Sequence, residues 1–368
     1  MIFEYKIVLS FITSLGLALL FLPRLASIAG RIGLMDQPGD RKNHEEAKPL
    51  VGGIGMVMAF VVSSLLFIPL QGLRGFYAGV IILIIAGFLD DYKELAPCWK
   101  FIAQITAALL LIYFSNTILL TFGNLLSFGD INFGIFAIPM TVFCIVGLSN
   151  AINMIDGLDG LAGGISLIGL VSFAILSYLG SHNEMLMLCL ALSGAVLGFL
   201  KYNWAPAKLF MGDAGSLFLG FTLVFASIHV IQGEDSVVRP FVPLFVLAVP
   251  ITDTLTLIVK RLIVGRSPFS ADTFHLHHML IRFGLNRKQA VMAILALCAF
   301  MSLAGILGIV FRVPEYVMFF FFLVYFFIHF CASFWTDRRH VAERSFVPER
   351  RKHQSPQSLK VKGVRSEE

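Results

Sequence analysis

Residues 289–311 read QAVMAILALCAFMSLAGILGIVF, a stretch of 23 positions without a charged side chain. A helix needs about 20 predominantly apolar residues to cross the hydrocarbon core of a bilayer. The apolar residues follow one another and do not alternate with polar ones, which disfavours the strand of a transmembrane barrel. The stretch therefore predicts a helix that spans a membrane.

Runs of the same kind recur along the whole 368-residue chain. Apolar residues make up 57% of it and Asp, Glu, Lys and Arg only 14%, whereas roughly a quarter of the residues in soluble domains are charged. This composition excludes a disordered protein, a disulfide-rich secreted module and an ordinary soluble enzyme. It predicts an all-α, polytopic integral membrane protein with about eleven transmembrane helices. We expect these at residues 5–23, 50–70, 76–89, 101–120, 131–148, 161–180, 185–200, 215–232, 240–259, 289–311 and 316–335.

The 28 Lys and Arg residues orient these spans. With eleven spans, 24 of them lie on one side of the membrane and four on the other. Basic residues favour the cytoplasmic side, so we expect a periplasmic N-terminus, a cytoplasmic C-terminus and an active site on the cytoplasmic face of the cell inner membrane. The cytoplasmic segments are then 24–49, 90–100, 149–160, 201–214, 260–288 and the tail after residue 335.

Two adjacent carboxylates, Asp90 and Asp91, follow the third predicted span. Like charges resist joint ionisation, and a divalent cation or a cationic partner would relieve that cost. The alternative is a solvated helix end followed by Lys93.

Segment 150–160 adds two carboxylates and amide side chains without a basic residue to neutralise them. If the segment is helical, a spacing of three residues puts Asp156 and Asp159 on one face. Oxygen ligands of this type suit Mg²⁺, which keeps waters and substrate phosphates in its coordination shell.

Asp213 follows Gly212 and lies two residues before Gly215, at the start of the eighth predicted span. The glycines free the backbone around this carboxylate, which would serve either as a metal ligand or as a helix N-cap. The pair Gly52-Gly53 likewise allows either close helix packing or contact between a ligand and the main chain.

The largest cytoplasmic segment carries Arg261 and the run His275-Leu276-His277-His278. Arg and His beside a carboxylate-bound cation suit a diphosphate, whose charge needs several donors. Zinc binding and a solvated histidine cluster are the rival hypotheses, although these histidines do not define a zinc geometry. The chain has no Walker A sequence, and no GxGxxG follows a predicted strand, so an ATP-driven machine or a dinucleotide enzyme is not supported.

Asp253 lies inside the ninth predicted span. An intramembrane acid is a functional candidate by default, and a transporter or flippase for anionic sugars or lipids would place such groups near the midplane. The other acidic motifs cluster at helix ends, which favours an enzyme that works at the membrane face. The five cysteines are scattered singly and predict neither a disulfide framework nor a zinc site.

Taken together, these motifs resemble those of the polyprenyl-phosphate N-acetylhexosamine-1-phosphate transferases, which belong to glycosyltransferase family 4. The similarity runs in order from about residue 30 to residue 311 and includes segment 49–53. The motifs that carry it are Asp90-Asp91, residues 153–160, residues 210–216 and residues 275–278.

The resemblance implies an enzyme that transfers N-acetylglucosamine-1-phosphate from UDP-N-acetylglucosamine to undecaprenyl phosphate and releases UMP. It implies Mg²⁺ as the cofactor, with Mn²⁺ as a substitute, and membrane lipids as partners; nucleic acid is not a partner, and a homodimer is left open. The lead 267–270 into the histidines resembles the bacterial WecA type, which starts lipopolysaccharide O-antigen and enterobacterial common antigen synthesis. Another UDP-N-acetylhexosamine donor is the alternative.

The resemblance also assigns roles to residues. Asp213 is expected to be the principal Mg²⁺ ligand, with Asp90 and Asp91 as further ligands at the reaction centre and Asp90 as a candidate base toward the lipid phosphate. Phe210 would stack on uracil. The residues expected to be catalytic are Asp90, Asp91, Asp156, Asp159 and His275, and those expected to bind substrate are Asn153, Asn203, Phe210, Arg261, His277 and His278.

The resemblance gives more specific roles to two of the carboxylates. The resemblance implies that Asp159 hydrogen-bonds the edge of uracil and that Asp156 shapes the metal or nucleotide pocket. Residues 1–335 are predicted to form a single transmembrane catalytic domain, and residues 336–368 a basic, disordered cytoplasmic tail.

Overall fold

The computed structural model describes residues 2–37, 46–233, 236–265, 267 and 275–346. Over these residues the chain is predominantly helical and has almost no sheet, so the predicted all-α class is confirmed. In this part of the chain the α-helices are α1 (Ile2–Ile32), α2 (Gly52–Phe67), α3 (Arg74–Lys93), α4 (Pro97–Ser115), α5 (Ala137–Ile155), α6 (Leu161–Leu179), α7 (Asn183–Asn203), α8 (Gly212–His229), α9 (Val242–Val246), α10 (Ala248–Ile263), α11 (Leu276–Arg282), α12 (Arg287–Val310) and α13 (Glu315–Phe346). Two short strands, β1 (Met35–Asp36) and β2 (Lys48–Pro49), pair antiparallel.

Nine of the described helices are long and apolar enough to cross a membrane, and the apolar helix α2 is shorter, with 16 residues. The predicted span at 240–259 is represented by α9 and α10, which meet at Leu247. A multi-pass membrane protein is thus confirmed, whereas the count of eleven spans and their orientation stay predictions.

Helix α5 lies further along the chain than the span predicted at 131–148. A short 3₁₀ turn, Gly134–Phe136, leads into α5. The residues before this turn are not helical, because the backbone N–H of Phe122 donates to Ile131 O, at 3.1 Å, in a loop. At its other end α5 runs on to Ile155, so Asn150 and Asn153 lie on a helix and not in a loop. Asn150 is tolerated there because its amide donates to Val146 O four residues earlier, at 2.8 Å.

Helices α7 and α8 are the most buried of the nine described helices that are long and apolar enough to span a membrane. Phe218, Phe221 and Phe225 of α8 are almost completely buried. The outer helices show the opposite pattern, since Ile12 of α1 is 56% exposed and Phe327 of α13 is 67% exposed. Large apolar side chains on the outside of a bundle are expected where helices face lipid.

Glycines bring three helices together at one end of the bundle. Gly53 of α2 lies directly against Gly215 of α8, and Gly87 of α3 lies against Ala214 of α8. A β-carbon at any of these glycines would overlap the neighbouring backbone. Close helix packing, one of the two interpretations of the Gly52-Gly53 pair, is therefore confirmed, and it sets the end of α3 beside the start of α8.

Candidate active site

A cavity of about 780 Å³ lies where these three helices meet. Each of the five predicted cytoplasmic segments before the tail contributes to its wall, and one example from each is Lys48, Asp90, Asp156, Phe210 and Lys288. The sequence prediction that these segments share one end of the bundle is confirmed. Because the cavity also contains Asp91, Asn153, Asp159, Asn203 and Asp213, eight predicted site residues are brought together.

Lys100, near the start of α4, bridges two of the carboxylates. Its ammonium lies 2.5 Å from Asp90 Oδ2 and 2.7 Å from Asp213 Oδ2. The second oxygen of Asp90 accepts the backbone N–H of Leu95 at 2.9 Å. Lys100 is not among the site residues predicted from the sequence. Its position ten residues after Asp90, just after the helix-starting Pro97, is the available signal.

Asp91 has a different environment from Asp90. Its Oδ1 accepts the backbone N–H of Asp213 at 2.9 Å, and its Oδ2 accepts that of Ala214 at 3.4 Å. These are the first N–H groups of α8, which lack partners within their own helix. Asp91 therefore caps α8 from a neighbouring helix, a role that the sequence argument had considered for Asp213 itself.

Asp213 is held from both sides by side chains. Its Oδ1 accepts the amide of Asn153 at 2.9 Å, and the same amide also donates to Ser216 Oγ at 2.9 Å. Lys100 holds the other oxygen. The side chain of Asp213 is 24% exposed, so it still faces the cavity.

The turn 156–160 carries the next two carboxylates. Asp156 ends α5, and Gly160 adopts a left-handed conformation with φ of 79°. The helical arrangement considered for Asp156 and Asp159 is therefore wrong, because the backbone turns between them. Asp159 Oδ2 accepts the N–H of Ala207 at 2.9 Å, which ties this turn to the segment that follows α7.

Burial and the negative charges of Asp213, Asp91 and Asp159 raise the pKa of Asp156 to about 7. No described residue donates a hydrogen bond that would oppose this rise. Burial is the larger cause of this rise, and the three neighbouring carboxylates add to it, so a cation bound nearby would favour the ionised form of Asp156.

Asn203 and Phe210 complete the wall on this side. Both polar ends of Asn203 are used by the backbone, since its oxygen accepts from Gly160 N at 2.9 Å and its amide donates to Leu209 O at 3.0 Å. The half-buried ring of Phe210 lies beneath the ammonium of Lys48, 5.0 Å from the ring centroid. Lys48 lines the cavity together with Arg287 and Lys288, and none of these basic residues is among the site residues predicted from the sequence.

Comparison with known proteins identifies the family. Residues 73–231 match the family model described as "Glycosyl transferase family 4". A protein of Bacillus subtilis strain 168, named "Probable undecaprenyl-phosphate N-acetylglucosaminyl 1-phosphate transferase", is 36% identical over 306 residues, which cover 82% of this chain and 84% of the relative. The chain belongs to glycosyl transferase family 4.

Two further members of the family share nearly the whole length. Proteins of Escherichia coli strain K12 and Yersinia pestis, both named undecaprenyl-phosphate alpha-N-acetylglucosaminyl 1-phosphate transferase, are 31% and 30% identical. The matches cover 84% and 87% of this chain, and 86% and 89% of the relatives. Membership of a transferase family decides against the transporter interpretation.

The histidine run lies outside the part of the chain that matches the family model. His275, His277, His278 and Arg261 are not among the described residues that line the cavity, and residues 268–274 lie outside the described residues. His277 nevertheless reaches the back of the turn 156–160, because a β-carbon added to Gly157 would lie 2.7 Å from its Nε2. Burial and the neighbouring imidazoles of His278 and His275 lower the pKa of His277 to about 3, so this ring is neutral.

The donor set of the cavity can be tested against the Mg²⁺ ion that the family resemblance implies. No three described His, Cys, Asp or Glu side chains converge closely enough to hold an ion by themselves. Mg²⁺ commonly takes only one or two carboxylates and completes its shell with waters and substrate phosphates. The carboxylates of Asp90, Asp91, Asp156, Asp159 and Asp213 all line the cavity, so the residues fit an ion that is shared with a phosphate substrate.

Proposed function

We propose that the chain transfers N-acetylglucosamine-1-phosphate from UDP-N-acetylglucosamine to undecaprenyl phosphate, giving undecaprenyl-diphosphate-N-acetylglucosamine and UMP. The named relatives carry this activity in their names. The observation that carries the proposal for this chain is that Lys100 pairs with both Asp90 and Asp213, two carboxylates that line a cavity at the end of an apolar bundle. Carboxylates and a lysine at one point suit a phosphate group that is bound together with a cation.

The acceptor phosphate would attack the β-phosphorus of the donor. The bond between this phosphorus and the oxygen that bridges to the α-phosphorus breaks, and UMP leaves with that oxygen. Phosphoryl transfer of this kind depends mainly on in-line positioning and on neutralising charge. Lys100 supports both needs, because its ammonium can donate to phosphate oxygens while the two carboxylates hold it in place.

Asp213, with Asp156 beside it, would hold Mg²⁺, and the ion when bound would offset the charge of the diphosphate. Asp90 is engaged on one oxygen by Lys100 and on the other by Leu95 N–H. This arrangement favours a positioning role for Asp90 over that of a base. A lipid phosphate is already largely ionised near neutral pH, so its attack does not require proton removal.

The nucleotide would bind beside Phe210 and the turn 156–160. The aromatic ring offers a stacking face for uracil, and Lys48 adds a positive charge next to it. Asp159 has one oxygen bonded to Ala207 N–H, which leaves the other for the base. Asn203 fixes the turn through Gly160 and thereby positions Asp159.

The proposal is tested with purified protein in detergent, undecaprenyl phosphate and radiolabelled UDP-N-acetylglucosamine. We expect a labelled lipid and an equal amount of UMP, both lost with EDTA and restored by Mg²⁺ or Mn²⁺. UDP-N-acetylgalactosamine and UDP-glucose are added as competing donors. Their effect on the amount of labelled lipid shows whether the protein prefers a donor other than UDP-N-acetylglucosamine. Failure to release UMP in the presence of both substrates and Mg²⁺ would contradict the proposal.

We also propose that the cavity opens to the cytoplasmic side of the inner membrane, as the distribution of basic residues suggests. Cysteine introduced at Lys93, near the cavity, should react with a membrane-impermeant reagent only in inverted vesicles, and cysteine at Asp130 only from the other side. Supply of O-antigen and enterobacterial common antigen synthesis, and assembly as a homodimer, stay predictions.

A further inference from the structure

Asp253 of α10 is a buried carboxylate outside the cavity. It is 2% exposed, and it occupies the middle of a predicted span. Burying a carboxylate is costly unless donors satisfy both of its oxygens. Its presence therefore calls for partners that are fixed in place.

Those partners come from the histidine run. His275 Nδ1 lies 2.9 Å from Asp253 Oδ2, and the backbone N–H of Leu276 donates to Oδ1 at 2.8 Å. His329 Nε2 of α13 also lies near the carboxylate, 3.9 Å from Asp253 Oδ1. Both oxygens thus hold the first residues of α11, so the carboxylate anchors this helix to α10.

The same short helix reaches the cavity from behind. His277, one residue after the anchored Leu276, is 2% exposed and packs against Gly157 of the turn 156–160. The rings of His275 and His277 are nearly parallel, with centroids 5.7 Å apart. A displacement at the anchor would therefore move the imidazole that supports the turn.

From this chain of contacts we infer that Asp253 is a positioning residue for the donor site. It holds the run 275–278 so that His277 supports the turn that carries Asp156 and Asp159. This inference rests on the proposed function, since it assigns that turn to the nucleotide-sugar. It gives the intramembrane acid a role in transfer and does not require it to touch a substrate.

Two variants test the two ends of this connection. Asp253→Asn keeps the shape of the side chain but removes its charge, and it places an N–H₂ group against either Leu276 N–H or His275 Nδ1. Gly157→Ala adds a methyl group 2.7 Å from His277 Nε2, at a residue without positive φ, and so pushes the same contact from the cavity side. We expect each to raise the KM for UDP-N-acetylglucosamine about tenfold, a change of about 1.4 kcal/mol in binding.

The double variant decides whether the two changes act on one contact. Residues that act through a shared element give non-additive effects. The double variant should therefore show about the same tenfold rise as either single variant, with the KM for undecaprenyl phosphate unchanged. A hundredfold rise, or equal rises for both substrates, would show that Asp253 only supports the fold and would overturn the inference.

Each variant has a matched control. Thr252→Val changes the neighbouring buried position, whose hydroxyl meets Tyr325 OH at 3.2 Å and not the histidine run. Gly147→Ala adds a methyl group on α5 where no atom lies within 4 Å. Both should behave as the wild type.

Direct titration of UDP-N-acetylglucosamine into each protein separates this inference from the proposed function. Wild-type protein that binds the nucleotide-sugar but forms no lipid product would contradict only the proposed reaction. If Asp253→Asn does not fold, Gly157→Ala decides alone, and a wild-type dissociation constant in that variant overturns the inference.

Discussion

Asp213 and Asp253 are both carboxylates on apolar helices, but the protein treats them differently. The side chain of Asp213 is 24% exposed to the cavity and is held by two side chains, Lys100 and Asn153, that could change partners. The side chain of Asp253 is 3% exposed, and one of its oxygens is fixed by a backbone N–H. The contrast indicates that exchangeable side-chain partners and an open face mark a carboxylate that meets ligands, whereas burial and backbone donors mark one that positions a segment.

The strongest test of this contrast is Asp213→Asn. The amide has the same shape but lacks the charge that Lys100 and a divalent cation would share, so we expect turnover to fall by roughly 10³-fold with little change in thermal stability. Initial rates of UMP release and a melting curve in detergent measure the two effects. Asp130→Asn, in an exposed loop, is the control. Near-normal turnover in Asp213→Asn would show that the carboxylate of Asp213 does not bind the ion or the substrate.

Lys100→Met should have the second largest effect. The apolar side chain keeps the length of lysine but leaves Asp90 and Asp213 facing each other without a cation, so we expect turnover to fall by about 10²-fold. Added Mg²⁺ should then raise the melting temperature more than it does in the wild type, because the ion would relieve the repulsion. The exposed Lys201→Met serves as control. A variant with full turnover would show that the bridge is only an ion pair at the cavity surface.

Lys100 illustrates which features of the protein can be predicted from its sequence and which cannot. Runs of apolar residues such as 289–311 predict helices because the period and the length of the run are local properties. The acidic motifs were also visible, since carboxylates are rare in this chain. The role of Lys100 was not visible, because its spacing from Asp90 gives only a weak signal and nothing in the local pattern indicates its second partner, Asp213, 113 residues away.

Two further features were not predicted because they also depend on contacts between residues that are distant in the sequence. Asn150 was assigned to a segment between spans because the predicted apolar run ended at residue 148, yet Gln104 of α4 accepts its amide at 2.6 Å and stabilises it within α5. Asp253 was noticed in the sequence, but its pairing with His275 depends on how α10 and α11 pack. Contacts between distant segments are set by tertiary packing, which local pattern does not encode.

Phe210→Leu tests the nucleotide side of the open cavity. Loss of the aromatic face should raise the KM for UDP-N-acetylglucosamine about tenfold, in line with roughly 1–3 kcal/mol for stacking a base on a ring. The kcat and the KM for undecaprenyl phosphate should not change. Phe114→Leu, at an exposed position of α4, controls for the loss of an aromatic ring. A fall in kcat without a rise in donor KM would place Phe210 at the reacting phosphates instead of at the base.

The smallest and most discriminating effect concerns Asp91. It lines the cavity, yet like Asp253 it is held by backbone N–H donors, one on each of its oxygens. Gly212→Ala would place a β-carbon 2.5 Å from Asp91 Oδ2, at a residue with φ of +72°. Gly72→Ala has a similar φ of +85° and open space, so both variants carry the left-handed strain of about 1–2 kcal/mol, and only Gly212→Ala also disturbs Asp91.

If Asp91 is mainly a cap for α8, Gly212→Ala should lose about 1 kcal/mol more stability than Gly72→Ala, the usual cost of losing a cap. Its dependence on Mg²⁺ concentration should then match that of the wild type. If Asp91 instead binds the ion, as the family resemblance implies, the variant should need more Mg²⁺ for half-maximal turnover while its melting temperature matches that of Gly72→Ala. Thermal melts and Mg²⁺ titrations of the two alanine variants thus show whether Asp91 binds the ion, like Asp213, or positions a segment, like Asp253. Only an ion ligand would change the Mg²⁺ concentration needed for half-maximal turnover.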